Sequence, residues 1–395
     1  MADHTKQDEG ERRVAIVSGS TGKPISNSRR RFLSNAGMFS AGLVGSTLLA
    51  ACSDGDSNIA VAQDNQGDGD GLFNPAISDA AVLQFALNLE YLEAEYYLLA
   101  VTGSNLSADD TGGGQEAPGT VTGGNMVPWG GDTLVQRYAG EIALDELDHV
   151  QFLRAGLGDA RIARPQINFT AAFNGAATAA LQNAGLIGAD STASFDPFAS
   201  PLGFLLGAFI FEDVGVTAYK GGAQFIRNRD FLTAAAGILS VEGYHAGLVR
   251  TVLTSRGDDE VTFQTSEGPM TVDVYTAVQA ISDARDLVDG LQNEDGDSDN
   301  GAPGLDQGIG DADTTVSIYM QDYPASNIVP TDGNGITFSR TPPQIHNIAY
   351  LSPNAVSMGG FFPQGTRIPA APSLTTAGGS APPMDDDNGE DGETM

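Results

Sequence analysis

The chain has 395 residues, of which 41% are apolar, so it is long enough and apolar enough to bury a sizeable core. Its 51 acidic and 19 basic residues give a formal net charge of −32. Because nucleic-acid phosphates are repelled by such a charge, we expect no nucleic-acid partner. An acidic surface of this kind is usually only a solvated surface, although it also attracts metal cations.

The first 52 residues have the layout of an export signal. Arg29 and Arg30 stand in the segment Ser-Arg-Arg-Arg-Phe-Leu, and a short apolar stretch leads from there to Cys52, the single cysteine. The basic segment resembles the twin-arginine export signal, and Leu-Ala-Ala-Cys resembles the lipobox of bacterial lipoproteins. We therefore expect export by the twin-arginine translocation machinery and a lipid anchor on Cys52. The chain is then held on the periplasmic side of a bacterial membrane, or is otherwise periplasmic or extracellular if the signal is cleaved without lipidation.

Five long segments have the apolar period of helices. A Gly-rich loop at 104–131 separates the first two, and a mixed connection at 159–200, with a short helix near 176–183, separates the second from the third. The third segment is apolar nearly all round, which predicts a buried helix, and Thr133 with Gln136 fits a capping box at the start of the second. The predicted long helices cover residues 78–101, 133 to either 156 or 158, 201–226, 231–255 and 272–291.

Composition divides the chain into five parts. The signal region is 1–52, and the Asp-, Gly-, Asn- and Gln-rich segment 53–74 is predicted to be a flexible tether. A helical bundle is expected at 75–292. An irregular extension that packs on the bundle is expected at 293–370, followed by a disordered acidic tail at 371–395.

Two histidines stand three residues after a glutamate, in Glu146-Leu-Asp-His149 and Glu242-Gly-Tyr-His245. Residues i and i+3 share one helix face, so the carboxylate and the imidazole converge on a common point. The positions one and two turns away from both motifs are apolar, which places both motifs on core-facing stripes. His346 has no acidic partner at helical spacing, and we interpret it as structural.

Two single glutamates, which belong to no Glu-x-x-His motif, also lie on core-facing stripes. Glu90 and Glu212 have apolar or tyrosine side chains seven, four and three residues before them and four and seven residues after them. Glu141 has charged neighbours on its face, which is typical of a solvated position. Glu93 and Glu95 have mixed neighbours and stay as reserve candidates.

Four carboxylates on core-facing stripes are costly unless they are paired or bound to metal. Their charges match two divalent cations, and mixed carboxylate and imidazole ligands suit iron or manganese. Counted from the connecting turns, the acidic positions of each helix pair lie at nearly equal heights. The alternative is a bundle with buried Glu–His hydrogen bonds and no metal. The predicted ligands of the two-metal site are Glu90, Glu146, His149, Glu212, Glu242 and His245.

The order glutamate, Glu-x-x-His, long crossover, glutamate, Glu-x-x-His resembles the ferritin-like di-iron or di-manganese carboxylate proteins. Segments 83–97, 145–153 and 360–365 are similar to those of the desiccation-related ferritin-like proteins of bacteria and plants. The similarity extends over residues 75–370. It implies an all-α fold: a ferritin-like four-helix bundle with a long crossover, an extra C-terminal helix and an irregular C-terminal extension.

The resemblance also implies roles for the candidate residues. Glu146 and Glu242 would bridge the two metals, and Glu90 and Glu212 would be terminal ligands. Each histidine would bind one metal. Tyr97, two turns after Glu90, resembles the tyrosine found near such sites and is the candidate catalytic residue.

Two functions follow from these observations. The first is an exported metalloprotein with two iron or manganese ions, a ferroxidase- or peroxidase-like oxidoreductase that protects against oxidative stress or desiccation. The second is a non-catalytic acidic envelope scaffold, in which the bundle is structural and the surface retains water or ions.

Overall fold

The computed structural model describes residues 77–114, 116–289 and 304–378. Several sequence predictions lie outside these ranges: the export arginines Arg29 and Arg30, the lipidation site Cys52, the tether at 53–74 and the end of the tail beyond 378.

The described part of the chain is mostly helical. Its α-helices are α1 (Asp79–Thr102), α2 (Ala108–Thr111), α3 (Thr133–Leu157), α4 (Phe169–Asn183), α5 (Pro201–Ala223), α6 (Arg229–Ser255), α7 (Val274–Val288) and α8 (Pro342–Tyr350). The five predicted long helices are α1, α3, α5, α6 and α7, and the predicted short helix in the connection is the end of α4. The all-α fold class is therefore confirmed.

Short strands connect the helices. They are β1 (Val121–Thr122), β2 (Ile167–Asn168), β3 (Ala193–Ser194), β4 (Glu260–Thr265), β5 (Gly268–Asp273), β6 (Thr315–Ile318) and β7 (Gln321–Pro324). Strand β1 pairs with β2 in parallel, β3, β4 and β5 form an antiparallel sheet in that order, and β6 and β7 form a hairpin. The helical periods of the sequence do not predict these strands.

The four long helices of the bundle pack as two pairs. Helix α1 lies along α3, α5 lies along α6, and the pairs meet mainly through α1 and α5. Helix α5 is long and apolar enough to span a membrane by length and composition, but 89% of its apolar window is buried inside the protein. It is therefore the core helix that its all-round apolar pattern predicted.

Side-chain caps set where the helices begin. The Ser78 hydroxyl accepts from Ala81 N at 3.3 Å at the start of α1. At the start of α3 the cap is Asp132, whose Oδ1 accepts from Val135 N at 3.3 Å. The capping box predicted at Thr133 is therefore wrong by one position, because a preceding aspartate, which caps better than threonine, takes that role.

A buried ion network joins the C-terminal extension, residues 304–378, to the bundle. Arg250 on α6 lies 2.7 Å from Asp213 on α5, and Arg285 on α7 lies 2.6 Å from Asp306 of the extension. Arg340 of the extension lies 3.0 Å from the Asp289 carboxylate. Because these groups are all nearly inaccessible to solvent, each carboxylate depends on the guanidinium that faces it.

The extension also contacts α5 through its backbone. Arg340 N donates to Thr217 O at 3.1 Å, and a Cβ placed on Gly221 would lie 1.9 Å from the Arg340 carbonyl oxygen. Only glycine permits this approach, since any side chain at Gly221 would displace the extension.

Two predictions for the extension need correction. It is not wholly irregular, because α8 and the β6–β7 hairpin lie within it; the prolines at 342 and 343 begin α8, where a missing N–H costs nothing. The predicted tail begins too early, because residues 371–378 include a helical turn at Pro372–Thr375 whose Leu374 side chain is buried, with 5% exposed.

Replacing Arg340 tests whether this network holds the extension in place. We expect Arg340→Ala to lower the free energy of unfolding in urea by about 3–5 kcal/mol, because buried carboxylates lose the guanidinium that faces them. Arg227→Ala, at an exposed arginine, is the control and should change it by less than about 0.5 kcal/mol. Equal losses in both variants would show that the network adds no stability.

Candidate metal centre

The structure brings together the six predicted ligands from four helices. Glu90 comes from α1, Glu212 from α5, and the two Glu-x-x-His motifs from α3 and α6. The apolar stripes around each position turn these side chains inward, so that all six are at most 8% exposed. Four of the six are glutamates, which are ordinarily charged, and all six side chains are buried in the bundle.

The ligand atoms form two groups that share one glutamate. His149 Nδ1 lies 3.2 Å from Glu90 Oε2, 3.5 Å from Glu146 Oε2 and 3.8 Å from Glu242 Oε1. His245 Nδ1 lies 3.1 Å from Glu146 Oε1 and 3.4 Å from Glu212 Oε2. Within each group the atoms lie no more than 4.8 Å apart. Glu146 therefore directs one oxygen toward each histidine.

Several of these buried atoms have no hydrogen-bond partner in the described part of the chain. They include both carboxylate oxygens of Glu146 and of Glu242, Glu212 Oε2 and His245 Nδ1. The short distances between them lack the alignment of hydrogen bonds, and a buried polar atom without a partner is costly. Carboxylate oxygens and an imidazole nitrogen that converge in this way fit two cations of the kind that accept mixed oxygen and nitrogen ligands.

Burial sets the direction of the pKa shifts of the carboxylates. It raises the pKa of Glu90 to about 7, against the opposing effect of His149, and raises that of Glu242 well above its usual range. Burial acts in the same direction on Glu146, but the adjacent His149 and His245 outweigh it and lower its pKa below the usual range. The cluster of carboxylates therefore retains protons on some of its members at neutral pH unless a cation replaces them.

The histidines show the reciprocal effect. Burial alone would lower the pKa of His149, but Glu90 and Glu146 raise it to about 10. Burial likewise acts against protonation of His245, and Glu212 with Asp145 raises its pKa well above the usual range. In the absence of metal, both imidazoles therefore act as the cations of the site.

Two tyrosine side chains form hydrogen bonds with the candidate ligands. The Tyr97 hydroxyl donates to Glu212 Oε1, and the Tyr219 hydroxyl donates to Glu90 Oε1. Burial raises the pKa of both tyrosines well above the usual range, so both stay protonated and remain donors. The contacts are crosswise, since each tyrosine bonds the glutamate of the other helix.

Asp145 lies on the outer side of His245. Its Oδ2 is 3.4 Å from His245 Nε2, which leaves Nδ1 directed toward Glu146 and Glu212. A carboxylate in this position fixes the orientation of a ligating imidazole. Asp213, which directly follows Glu212 in the chain, contacts Arg250 and Arg285.

Tyr219 was not among the residues predicted from the sequence, and Glu93 was only a reserve candidate. Tyr219 follows Glu212 by the same seven residues that separate Tyr97 from Glu90, so the spacing carried the signal. Glu93 is 5% exposed and lies beside the ligand groups, whereas Glu95 is buried elsewhere and accepts from Leu106 N at 3.2 Å.

Two other predictions concern residues away from the centre. Glu141 is exposed, as its charged neighbours indicated. His346 is buried on α8, with Nε2 2.8 Å from the Thr366 hydroxyl, and burial lowers its pKa to about 3. It therefore has the structural role that its sequence context indicated.

Comparison with known proteins agrees with this geometry. Residues 78–255 match the family described as the ferritin-like domain. A ferritin-like catalase of Nesocodon mauritianus is 27% identical over 342 residues, which are 85% of this chain and 96% of that protein. A desiccation-related protein of Craterostigma plantagineum is 26% identical over 269 residues, 67% of this chain and 75% of that protein. Residues 78–255 therefore form a ferritin-like domain, and a ferritin-like catalase and a desiccation-related protein are among the relatives of the chain.

Proposed function

We propose that the chain is a metal-dependent oxidoreductase whose dinuclear iron or manganese centre removes hydrogen peroxide as part of stress protection. The observation that supports it most is the set of buried carboxylate and imidazole atoms without hydrogen-bond partners in the described residues. A relative named as a ferritin-like catalase points to peroxide, which disproportionates to water and dioxygen. A pair of redox-active metal ions supplies the two-electron chemistry that this reaction needs.

The ligands would be the six side chains of the two groups. Glu146, which faces both histidines, is suited to bridge two ions, and Glu242 adds a second carboxylate on the His149 side. Tyr97 and Tyr219 would hold the terminal carboxylates of Glu212 and Glu90 in place. Fixing the ligands in advance limits the reorganisation that a change of metal charge requires.

The surrounding core determines what reaches the centre. The ligands are at most 8% exposed, so bulk water is largely excluded and a small neutral molecule such as peroxide is the appropriate size of reactant. Tyr97, proposed from the sequence as the catalytic residue, is fully buried with its hydroxyl on Glu212. Its hydrogen bond supports a role in positioning that carboxylate.

Removal of the shared ligands tests the metal centre. The double variant Glu146→Ala/His149→Ala should lose bound iron and manganese in elemental analysis and lose peroxide consumption by at least about 100-fold. Glu141→Ala, at the exposed glutamate of the same helix, is the matched control and should retain both. If the double variant keeps the stress phenotype unchanged, the non-catalytic scaffold is the better description.

The pH dependence of stability provides a second test, on metal-free protein. Glu90 has a pKa of about 7 when folded and 4.5 ordinarily, so its contribution to stability is complete below about pH 4.5 and is lost as pH rises through about 7. The loss should be on the order of 3 kcal/mol for Glu90 alone. The pKa of His149 is also raised, to about 10, so its contribution to stability is likewise lost as pH rises, but at higher pH.

Thermal unfolding measures this effect. The melting temperature of metal-free protein should fall between about pH 5 and pH 8, and added Mn²⁺ should raise it more at pH 8 than at pH 6, because the cation replaces protons. Glu90→Gln, which cannot titrate at this position, should give a flatter profile. An identical profile in that variant would remove Glu90 as the cause.

We further propose export by the twin-arginine machinery and a lipid anchor on Cys52, both supported by the sequence of the signal region. Cell fractionation of an Arg29→Lys/Arg30→Lys variant should find the protein retained in the cytoplasm, because the export machinery reads that arginine pair. Arg31→Lys is the matched control and should be exported. Export of the double variant would contradict the proposed route, and Cys52→Ala should release exported protein from the membrane fraction.

A further inference from the structure

An apolar cavity lies inside the bundle beside the candidate metal centre. Its volume is about 30 Å³, which is enough for one small molecule. Residues of α1, α3, α5, α6 and the turn between α5 and α6 line it, and all of them except Tyr219 are apolar. The Tyr219 hydroxyl donates to Glu90 Oε1. The lining side chains, all within the described part of the chain, therefore present no free hydrogen-bond donor to a molecule in the cavity.

The cavity lies one helical turn from two candidate ligands. On α1 the lining residue Ala86 precedes Glu90 by four positions, and on α6 the lining residue Ile238 precedes Glu242 by four. Residues four positions apart are neighbours on one face of a helix. Tyr219 spans the remaining distance, because its ring lines the cavity and its hydroxyl contacts Glu90. The cavity is therefore adjacent to the ligand group that contains Glu90 and Glu242.

Two glycines keep this cavity open. Gly156 lies in the last turn of α3 and Gly222 in the last turn of α5, and both line the cavity. A Cβ on Gly222 would lie 3.6 Å from Val82 Cγ1, and a Cβ on Gly156 would lie 3.6 Å from Phe231 Cε1. Both are ordinary van der Waals distances, so space does not require glycine at either position, and alanine is the better helix former. The two glycines therefore provide room that methyl groups would fill.

We propose that this cavity binds dioxygen and receives the dioxygen that peroxide disproportionation releases at the centre. The inference rests on the proposed function. An apolar cavity stays free of water and takes up small apolar molecules. Hydrogen peroxide would lose its hydrogen bonds there, at a cost in free energy, whereas dioxygen has no such bonds to lose. The cavity therefore distinguishes the product from the reactant.

Methyl relaxation in solution under dissolved dioxygen tests the binding site on the metal-free full chain. Dioxygen is paramagnetic, so it speeds the relaxation of the methyl groups that it contacts. Val82, Leu83 and Ile238 line the cavity, whereas Leu253 is also buried but lies outside it. We expect dioxygen to speed the relaxation of the lining methyl groups at least about threefold more than that of Leu253, because the cavity takes up apolar molecules.

Filling the cavity should remove this effect. In Gly156→Ala/Gly222→Ala the enhancement at Ile238 should fall by at least about half, because the added methyl groups occupy the cavity. Gly237→Ala is the matched control, since this exposed glycine of α6 would place its Cβ more than 4 Å from any neighbouring group. It should leave the enhancement unchanged. If the double variant does not fold, Gly222→Ala alone decides, with a smaller loss of enhancement expected.

Peroxide turnover by the manganese-loaded chain tests whether the released dioxygen uses this cavity. The double variant should lower kcat by about threefold and leave kcat/KM unchanged, because kcat/KM is determined before the product leaves. Gly237→Ala should change neither quantity.

The possible failures are distinguishable. Equal relaxation of the lining methyl groups and of Leu253 overturns the dioxygen site, whatever metal the chain binds. Faster relaxation of the lining with an unchanged kcat in the double variant overturns the role of the cavity in product release. A wild-type chain that consumes no peroxide overturns the proposed function, and with it the source of the dioxygen, but not the binding site, which relaxation measures independently.

Discussion

Repulsion among carboxylates in a water-poor core is the constraint on which the rest of the bundle depends. Glu90, Glu93, Glu146, Glu212 and Glu242 lie together at 5% exposure or less, where charges interact far more strongly than at a surface. Two tyrosine hydroxyls satisfy one oxygen each on Glu90 and Glu212. The oxygens of Glu146 and Glu242 have no such donor in the described residues, so only protons or cations can balance them.

Other buried carboxylates of this protein are balanced by arginine side chains. In the network that joins the extension to the bundle, Asp213 and Asp306 are also buried, but guanidinium groups from Arg250, Arg285 and Arg340 face them. The protein therefore supplies its own cations where a buried carboxylate is structural. Within the described residues no such guanidinium pair involves Glu146 or Glu242, which face the two histidines instead, and this arrangement is compatible with a bound cation.

Where one helix carries the whole signal, the sequence predicts correctly which glutamates are buried. The apolar stripes identified Glu90, Glu146, Glu212 and Glu242, because each lies among core-facing neighbours on its own helix. Glu93 was left undecided, since its helix α1 is buried on nearly every side and the local pattern no longer distinguishes one face from another. The strands and α8 were not predicted, because short elements gain their stability from the bundle surface rather than from their own period.

The sequence by itself determined the helices and the inward faces that carry the candidate ligands, because these depend on spacing along a single helix. Only the tertiary structure decided which oxygen faces which histidine and that Tyr97 and Tyr219 bond crosswise. The two tyrosine contacts join residues 115 and 129 positions apart on separate helices. Their geometry depends on how the helices are rotated and displaced against one another, which no local pattern encodes.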